Sequence, residues 1–405
     1  MLFQTFEQEL SLLKEKNQFR QIPPINHDGR YIWINNQYML NLSGNDYLGL
    51  SYKEELQKEF LRNYSRKLPL FSSTSSRLLT GNSFEYRQLE HDMAKAFNKE
   101  SCLLFNSGYH ANIGILPAIA NKHTLILSDR LIHASMIDGI RLSGSTCLRY
   151  EHNDYEQLSA LLDEHASKYS RIIIVTESLF SMDGDFADLH KLVQLKQRYP
   201  HVLLYVDEAH AIGVYGENGL GLAEQQHCID QIDILVGTFG KAMASMGAYV
   251  ISSQTIRDIL INKMRPLLFS TALPPLNLAW THFIFKQLPV LKEQRTHLAK
   301  LGSYLRERLV QDFQVDMPSQ SHIVPFIIGA NAKTKFYANS LQEGGYYCLP
   351  IRPPTVPQGT SRIRFSLNAD FQYEEIDRLL EQLRSIHQCI SKKGTSSKQE
   401  LVVTA

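Results

Sequence analysis

Two stretches of the chain end apolar runs in residues that can do covalent chemistry. VLLYVDEAH closes on Asp207 and His210, and ILVGTFGKA carries Thr238 and Lys241 at its end. Each run has the length of a buried strand, and strands of a parallel sheet stop at polar residues along their carboxyl edge. The spacing predicts an acid, an imidazole and a lysine on one edge of one sheet.

Several chemistries could use such a set. Asp207-Glu208-Ala209-His210 spells the DEAH box of certain helicases, but no GxxxxGK[ST] phosphate loop occurs in the chain. Gly240-Lys241 lacks both the spaced glycine and the hydroxyl that such a loop needs. An acid and a histidine three apart could begin a metal site, yet the other histidines fall at no tight ligand spacing, and no metal is expected. Gly213, Gly216, Gly219 and Gly221 follow the DEAH turn without the strand, helix and later acid of a dinucleotide fingerprint, so they read as a turn. Lys241 lies between Gly240 and Ala242, where burying an ammonium is costly unless it is neutralised, paired or used covalently. A solvated loop lysine is the alternative. A lysine for a covalent link, a strand-end aspartate for a pyridinium nitrogen and a strand-to-helix turn for a phosphate are together what pyridoxal phosphate requires.

The elements that must hold these residues alternate. The strand SCLLFN leads through Ser107-Gly108-Tyr109 into a helix beginning near His110, and the free N–H groups of such a turn can hold a phosphate. Apolar runs at HTLILSD, RIIIVTE, HVLLYVDE, DILVGTF and GAYVIS, with helical stretches between most of them, predict an α/β fold with a mainly parallel central sheet covered on both faces. An amphipathic helix within residues 2–19 and a hairpin turning at Asn35-Asn36 precede them. The hydroxyl-rich FSSTSSRLLTGN reads either as a flexible loop or as one that closes over an anion. After Pro274-Pro275 the chain reads as helix, then as a smaller α+β region with helices near 332–343 and 373–389. The expected organisation is an N-terminal segment 1–50, a large cofactor domain 51–285, a small C-terminal domain 286–390 and a mobile tail 391–405.

Bulk properties narrow the partners. The 405 residues carry a formal net charge of +1, with 43% hydrophobic and 20% charged residues, so nothing general favours nucleic acid or anionic membrane. Cys102, Cys147, Cys228, Cys348 and Cys389 form no CxxC pair and suggest neither a disulfide framework nor zinc. No apolar run reaches membrane-spanning length, and MLFQTFEQEL lacks the pattern of a secretory signal. The expected setting is the cytoplasm.

From about residue 40 to 385 the chain resembles the α-oxoamine synthases. The motifs that carry the resemblance are GNDYLGL, SRLLTGN, FNSGYHAN, DRLIHAS, TESLFSMDGD, VDEAHAIGVYGENGLG, TFGKA, FSTALPP and IRPPTVPQGTSRIR. The resemblance implies the aspartate-aminotransferase fold, that is, fold type I of the pyridoxal-phosphate transferases, with a smaller α+β C-terminal domain. It also implies a homodimer that joins an amino acid to an acyl thioester with loss of carbon dioxide. IRPPTVPQGTSRIR is most similar to members that use L-alanine and a pimeloyl thioester, carried on coenzyme A or acyl carrier protein. Sister enzymes that use glycine, and an aminotransferase on the same fold, are the alternatives.

By the same resemblance, Lys241 would hold the cofactor covalently and act as general base, and Asp207 would pair with the pyridinium nitrogen. His210, with Ser181 close by, would meet the ring's phenolic oxygen, and His133 would stack on the ring. Gly108, Tyr109 and Thr238 would contact the phosphate, as would Ser270 and Thr271 from the neighbouring subunit. Asn45 and Arg364 match positions that hold the amino-acid carboxylate, and Thr355 and Arg20 match acyl-substrate positions. The chain departs from the family at Ser73-Thr74-Ser75, where glycines are common, at GLG where GRG is usual, and at AMASMGA after the lysine.

Overall fold

The computed structural model describes residues 2–64 and 70–400, with side chains described from residue 3 to residue 390 outside 65–69. It divides into two compact units. One holds the described residues of Met1–Tyr47, Met182–Gly184 and Thr296–Ala405, and the other holds Leu48–Ser181 and Asp185–Arg295. The strands in chain order are β1 (Asn26–Asp28), β2 (Tyr31–Ile34), β3 (Gln37–Asn41), β4 (Ser101–Phe105), β5 (Thr124–Asp129), β6 (Thr146–Tyr150) and β7 (Arg171–Glu177). Then come β8 (Val202–Asp207), β9 (Ile234–Thr238), β10 (Ala248–Ser252), β11 (Ile323–Gly329), β12 (Tyr346–Tyr347), β13 (Pro350–Ile351) and β14 (Ser361–Ser366).

The larger unit is built on a seven-stranded sheet of order β4-β10-β9-β8-β7-β5-β6. Six strands run in one direction and β10 is antiparallel to both its neighbours. The central strands are apolar on both faces because helices cover both faces. Ile172, Ile173, Ile174 and Val175 are 0% exposed, and full burial of such a side chain stabilises the fold by roughly 1.5–3 kcal/mol. The edge strand β6 breaks that pattern, with Thr146 and Arg149 exposed. It therefore gives no continuous apolar run in the sequence.

Helices Gly108–Ile119 and Ala134–Ser143 lie close together at the carboxyl side of β4 and β5. A Cβ on Gly139 would stand 2.3 Å from the carbonyl oxygen of Asn112, so only glycine allows this approach. That contact also fixes Asn112, which the site uses. The FSSTSSRLLTGN segment contains a π-helical turn, Arg77–Gly81, and its arginine is turned inward. Arg77 donates to Glu90 at 2.7 Å and to the Leu104 carbonyl, and lies over the Tyr86 ring.

The smaller unit carries two sheets. β11, β14 and β13 form an antiparallel sheet, and β12 adds in parallel to β3 beside the β1–β2–β3 meander. Helices Asn331–Glu343 and Tyr373–Glu400 turn apolar stripes inward, with Tyr337, Ala338 and Leu341 on one and Ile376, Leu379, Leu380 and Leu383 on the other. The last helix extends past the expected end near 389, and the final residues of the expected tail, 401–405, lie outside the described residues. The N-terminal helix stops at Glu15. Among the described residues no helix is long and apolar enough to cross a membrane.

Candidate active site

The carboxyl ends of β5, β7, β8 and β9 open into a cavity of about 190 Å³ within the larger unit. Strand direction decides this gathering, because parallel strands deliver their last residues to the same edge. Glu177 ends β7, Asp207 ends β8 and Thr238 ends β9, with Lys241 three residues further on. The β4 strand runs the same way and hands over to helix Gly108–Ile119. Its first turn brings Gly108 and Tyr109 to the cavity.

The backbone around Lys241 is tied down on both sides. Thr238 Oγ1 donates to the Gly247 carbonyl and accepts from the Gly240 N–H, while the Ala244 N–H reaches the Lys241 carbonyl at 2.9 Å. The lysine Nζ lies 2.7 Å from His210 Nε2. This contact joins the end of one stretch identified in the sequence to the end of the other.

Asp207 is 6% exposed and takes hydrogen bonds on both oxygens. Oδ1 accepts from the Ala209 N–H at 2.8 Å and Oδ2 from Asn112 Nδ2 at 2.7 Å. Asn112 is oriented in turn, its Nδ2 reaching Ser135 Oγ at 2.9 Å and its Oδ1 accepting from the Tyr205 hydroxyl at 2.5 Å. Such a chain of donors aims the carboxylate at a fixed position. Asn112 and Glu177 are not singled out by sequence reasoning, although each carries a signal. Asn112 is four residues past Gly108, on the same helix face, and Glu177 ends a strand just as Asp207 does.

His133 caps helix Ala134–Ser143, its Nδ1 accepting from the Ser135 N–H at 3.2 Å and lying 2.8 Å from Ser135 Oγ. Burial holds its imidazole below the ordinary range, which favours the neutral ring. At the head of helix Gly108–Ile119, the Ser107 side chain accepts from the His110 N–H, and the first backbone helical bond is donated by Ala111. The N–H groups of Gly108 and Tyr109 precede that bond, so the helix itself offers them no acceptor. The site thus presents a helix N-terminus suited to an anion, a carboxylate, a neutral imidazole and a lysine amine around one small cavity. That donor set fits pyridoxal phosphate group by group.

Gly108, Tyr109, His133, Asp207, His210, Thr238 and Lys241 share this cavity, and its described lining does not include Ser181, Ser270 or Thr271. Ser181 is half-buried beyond the end of β7. Thr271 bridges to Ser76, and its carbonyl accepts from Asn106 Nδ2 at 2.7 Å, with Ser270 half-buried beside it.

The smaller unit holds the other expected residues in two groups. Arg364, 8% exposed on β14, donates from both Nη atoms to Asn45 Oδ1 at 3.3 Å and from Nη2 to the Tyr47 hydroxyl. The Tyr47 hydroxyl itself donates to Asn45 Oδ1 at 3.0 Å. Elsewhere in that unit Arg20 Nη2 donates to Thr355 Oγ1 at 3.0 Å, with both residues exposed. Arg352, which donates to the Asn17 carbonyl, is close enough to feel the charge of Arg20. Burial and that charge hold its guanidinium below the ordinary value.

Comparison with known proteins gives a consistent set of likenesses. Residues 37–383 match the family model described as aminotransferase class I and II. A Pasteurella multocida protein provisionally named 8-amino-7-oxononanoate synthase is 61% identical over 381 residues, 94% of this chain and 98% of its own. One of Haemophilus influenzae with the same name is 60% identical over 371 residues, 92% and 97% of the two chains. Among solved structures, Sphingomonas wittichii serine palmitoyltransferase superposes with a TM-score of 0.85 at 26% identity, over 95% of this chain and 96% of that one. The 8-amino-7-oxononanoate synthase of Francisella tularensis superposes with a TM-score of 0.74 at 28% identity, over 88% and 98%.

Proposed function

Because the chain belongs to the aminotransferase class I and II family, and within it to the pyridoxal-phosphate-dependent α-oxoamine synthases, we propose that this C-acyltransferase condenses L-alanine with a pimeloyl thioester. The products would be 8-amino-7-oxononanoate, carbon dioxide and the free thiol, a step of biotin biosynthesis. The observation that carries the reading is the single cavity holding Lys241, His210, Asp207 and His133 at a helix N-terminus. Relatives near 60% identity that bear the synthase name support the choice of substrates.

When bound, pyridoxal phosphate supplies an electron sink for negative charge at the amino acid Cα. Lys241, Asp207, His210 and His133 would hold its aldehyde carbon, pyridinium nitrogen, phenolic oxygen and ring face, and Gly108, Tyr109 and Thr238 its phosphate. Ser181 would support the phenolic contact.

Lys241 takes the proton from the alanine Cα and returns one after carbon dioxide has left, with His210 as its hydrogen-bond partner. The new bond joins the alanine Cα to the thioester carbonyl carbon, and the thiol leaves with the electron pair of the broken C–S bond. Arg364, held by Asn45 and Tyr47, offers a planar fork to the alanine carboxylate. Arg20, Thr355 and the neighbouring Arg352 would take the acyl substrate, their charge suiting the free carboxylate of a pimeloyl chain.

A homodimer follows from the same reading, with Ser270 and Thr271 serving the partner's phosphate. The exposed Leu78, Leu79, Phe84 and Phe269 in the larger unit are apolar surface of the kind that pairing covers.

The test is to incubate the purified protein with cofactor, alanine or glycine, and acyl thioesters of different length, and to identify the ketone by mass spectrometry. Alanine with the pimeloyl thioester is expected to give the highest kcat/KM. A preference for glycine with a short acyl chain would instead identify a sister acyltransferase.

A further inference from the structure

Two carboxyl groups stand side by side at the cofactor cavity. Glu177 and Asp207 are register partners at the ends of β7 and β8, so their side chains leave the sheet on one face, and both line the cavity. Glu177 is 4% exposed and Asp207 6%. They are not equally supplied with donors. Asp207 accepts N–H groups on both oxygens, which stabilises negative charge there. Glu177 meets the His133 N–H, and its Oε1 has no hydrogen-bond partner among the described residues.

The charged groups facing Glu177 are Asp207 on β8, Asp129 on β5 and Lys241 after β9. Two neighbouring carboxylates in a buried site cannot both ionise without a large cost.

We propose that Glu177 is kept as the neutral acid, a positioning residue that confines the negative charge of this wall to Asp207 and turns an O–H toward the cavity. Burial and the adjacent Asp207 push its carboxyl well above the usual range, in line with that geometry. The consequence for the proposed reaction is that one anion, not two, faces the cofactor ring and the Lys241 amine. A second anion would stabilise the protonated amine and so oppose its use as a base.

Infrared spectroscopy of the cofactor-free protein tests the proposal directly. Glu208 is the other buried acid to separate, since burial pushes it to about 8 while its Oε1 accepts from the Ala223 N–H, outside the cavity lining. The carbonyl-stretch band of a protonated carboxyl should therefore persist in wild-type protein above pH 8, after Glu208 has titrated, and be absent from Glu177→Gln. Loss of the whole band as Glu208 titrates would overturn the proposal. In the loaded protein, Asp207→Asn should move the pH midpoint of the lysine–cofactor absorption band by about one unit or more, and Glu177→Gln by less than about a third of that. A downward shift in Glu177→Gln as large as a removed anion produces would also overturn it. A protein that fails to bind pyridoxal phosphate would refute the cofactor role and leave the infrared result to decide the state of Glu177.

Discussion

The cavity around Lys241 and the arginine groups around Arg364 and Arg20 hold their residues in different ways. Around Lys241, side chains sit at the ends of neighbouring strands, and hydrogen-bonded supports such as Asn112, Ser135 and Tyr205 are themselves buried. Arg364 is buried too, but its partners come from 319 and 317 residues away in the chain. The Arg20–Thr355 pair spans 335 residues and is exposed. Rigid strand ends suit bond making, where small displacements are costly. Contacts between distant parts of the chain, most of whose members lie in loops, suit recognition of a substrate carboxylate or acyl chain, where pocket contacts can change without disturbing the chemistry.

Substitutions should separate the two regions by which kinetic constant they move. Lys241→Ala should lower kcat by roughly 10⁴-fold or more, since it removes both the covalent anchor and the general base, while circular dichroism stays native. Turnover near the wild-type value would show that the proton is moved by another group. Asp207→Asn should lower kcat by about 10²- to 10³-fold and weaken cofactor binding in fluorescence titrations, because the ring nitrogen loses its anionic partner.

A third substitution tests the ion pairs that hold the end of β5. His152 Nδ1 is 3.0 Å from Asp129, and its Nε2 is 2.7 Å from Asp185. Burial opposes charge on this imidazole, but hydrogen bonds to both carboxylates outweigh it and raise its value to about 10. The folded value lies above the ordinary 6.5, so its contribution to stability is complete below about pH 6.5 and is lost as pH rises through about 10. His152→Asn should cost roughly 1–3 kcal/mol near pH 6, between the exposed and the fully buried limits for losing one partner of an ion pair, since His152 is half-buried. The gap in Tm from wild type should narrow toward pH 10, and a gap independent of pH would contradict the charged clamp.

The arginine sites should respond mainly in KM. Arg364→Ala should raise KM for alanine by roughly 10- to 100-fold, the loss of a charge-assisted hydrogen bond, with a smaller change in KM for the thioester. Arg20→Ala should raise KM for the acyl thioester by about 10-fold and leave alanine binding near its original strength. An effect of Arg20→Ala confined to kcat would erase the proposed division between the two regions.

The same contrast explains what could be read from the chain. Asp207, Thr238 and Lys241 stand at the ends of apolar runs, so strand period and polarity alone place them on one sheet edge. Glu177 carries the same signal at the end of RIIIVTE, but its meaning depends on lying beside Asp207, and register is set by pairing that no local pattern states. Asn112 becomes a support only because Gly139 lets two helices approach closely. Strand β6 escapes the pattern because an edge strand with exposed Thr146 and Arg149 has no apolar run. Arg364, Asn45, Arg20 and Thr355 are far apart in sequence, so only family resemblance could group them, and the fold brings each pair into contact.

Alanine labelled with ¹³C in its carboxylate separates condensation from transamination in one measurement. Purified protein loaded with pyridoxal phosphate should release the label as carbon dioxide only when pimeloyl thioester is present, in step with thiol release and with an unlabelled aminoketone as co-product. Label recovered in pyruvate, with the cofactor converted to its pyridoxamine form and no dependence on the thioester, would contradict the proposed reaction.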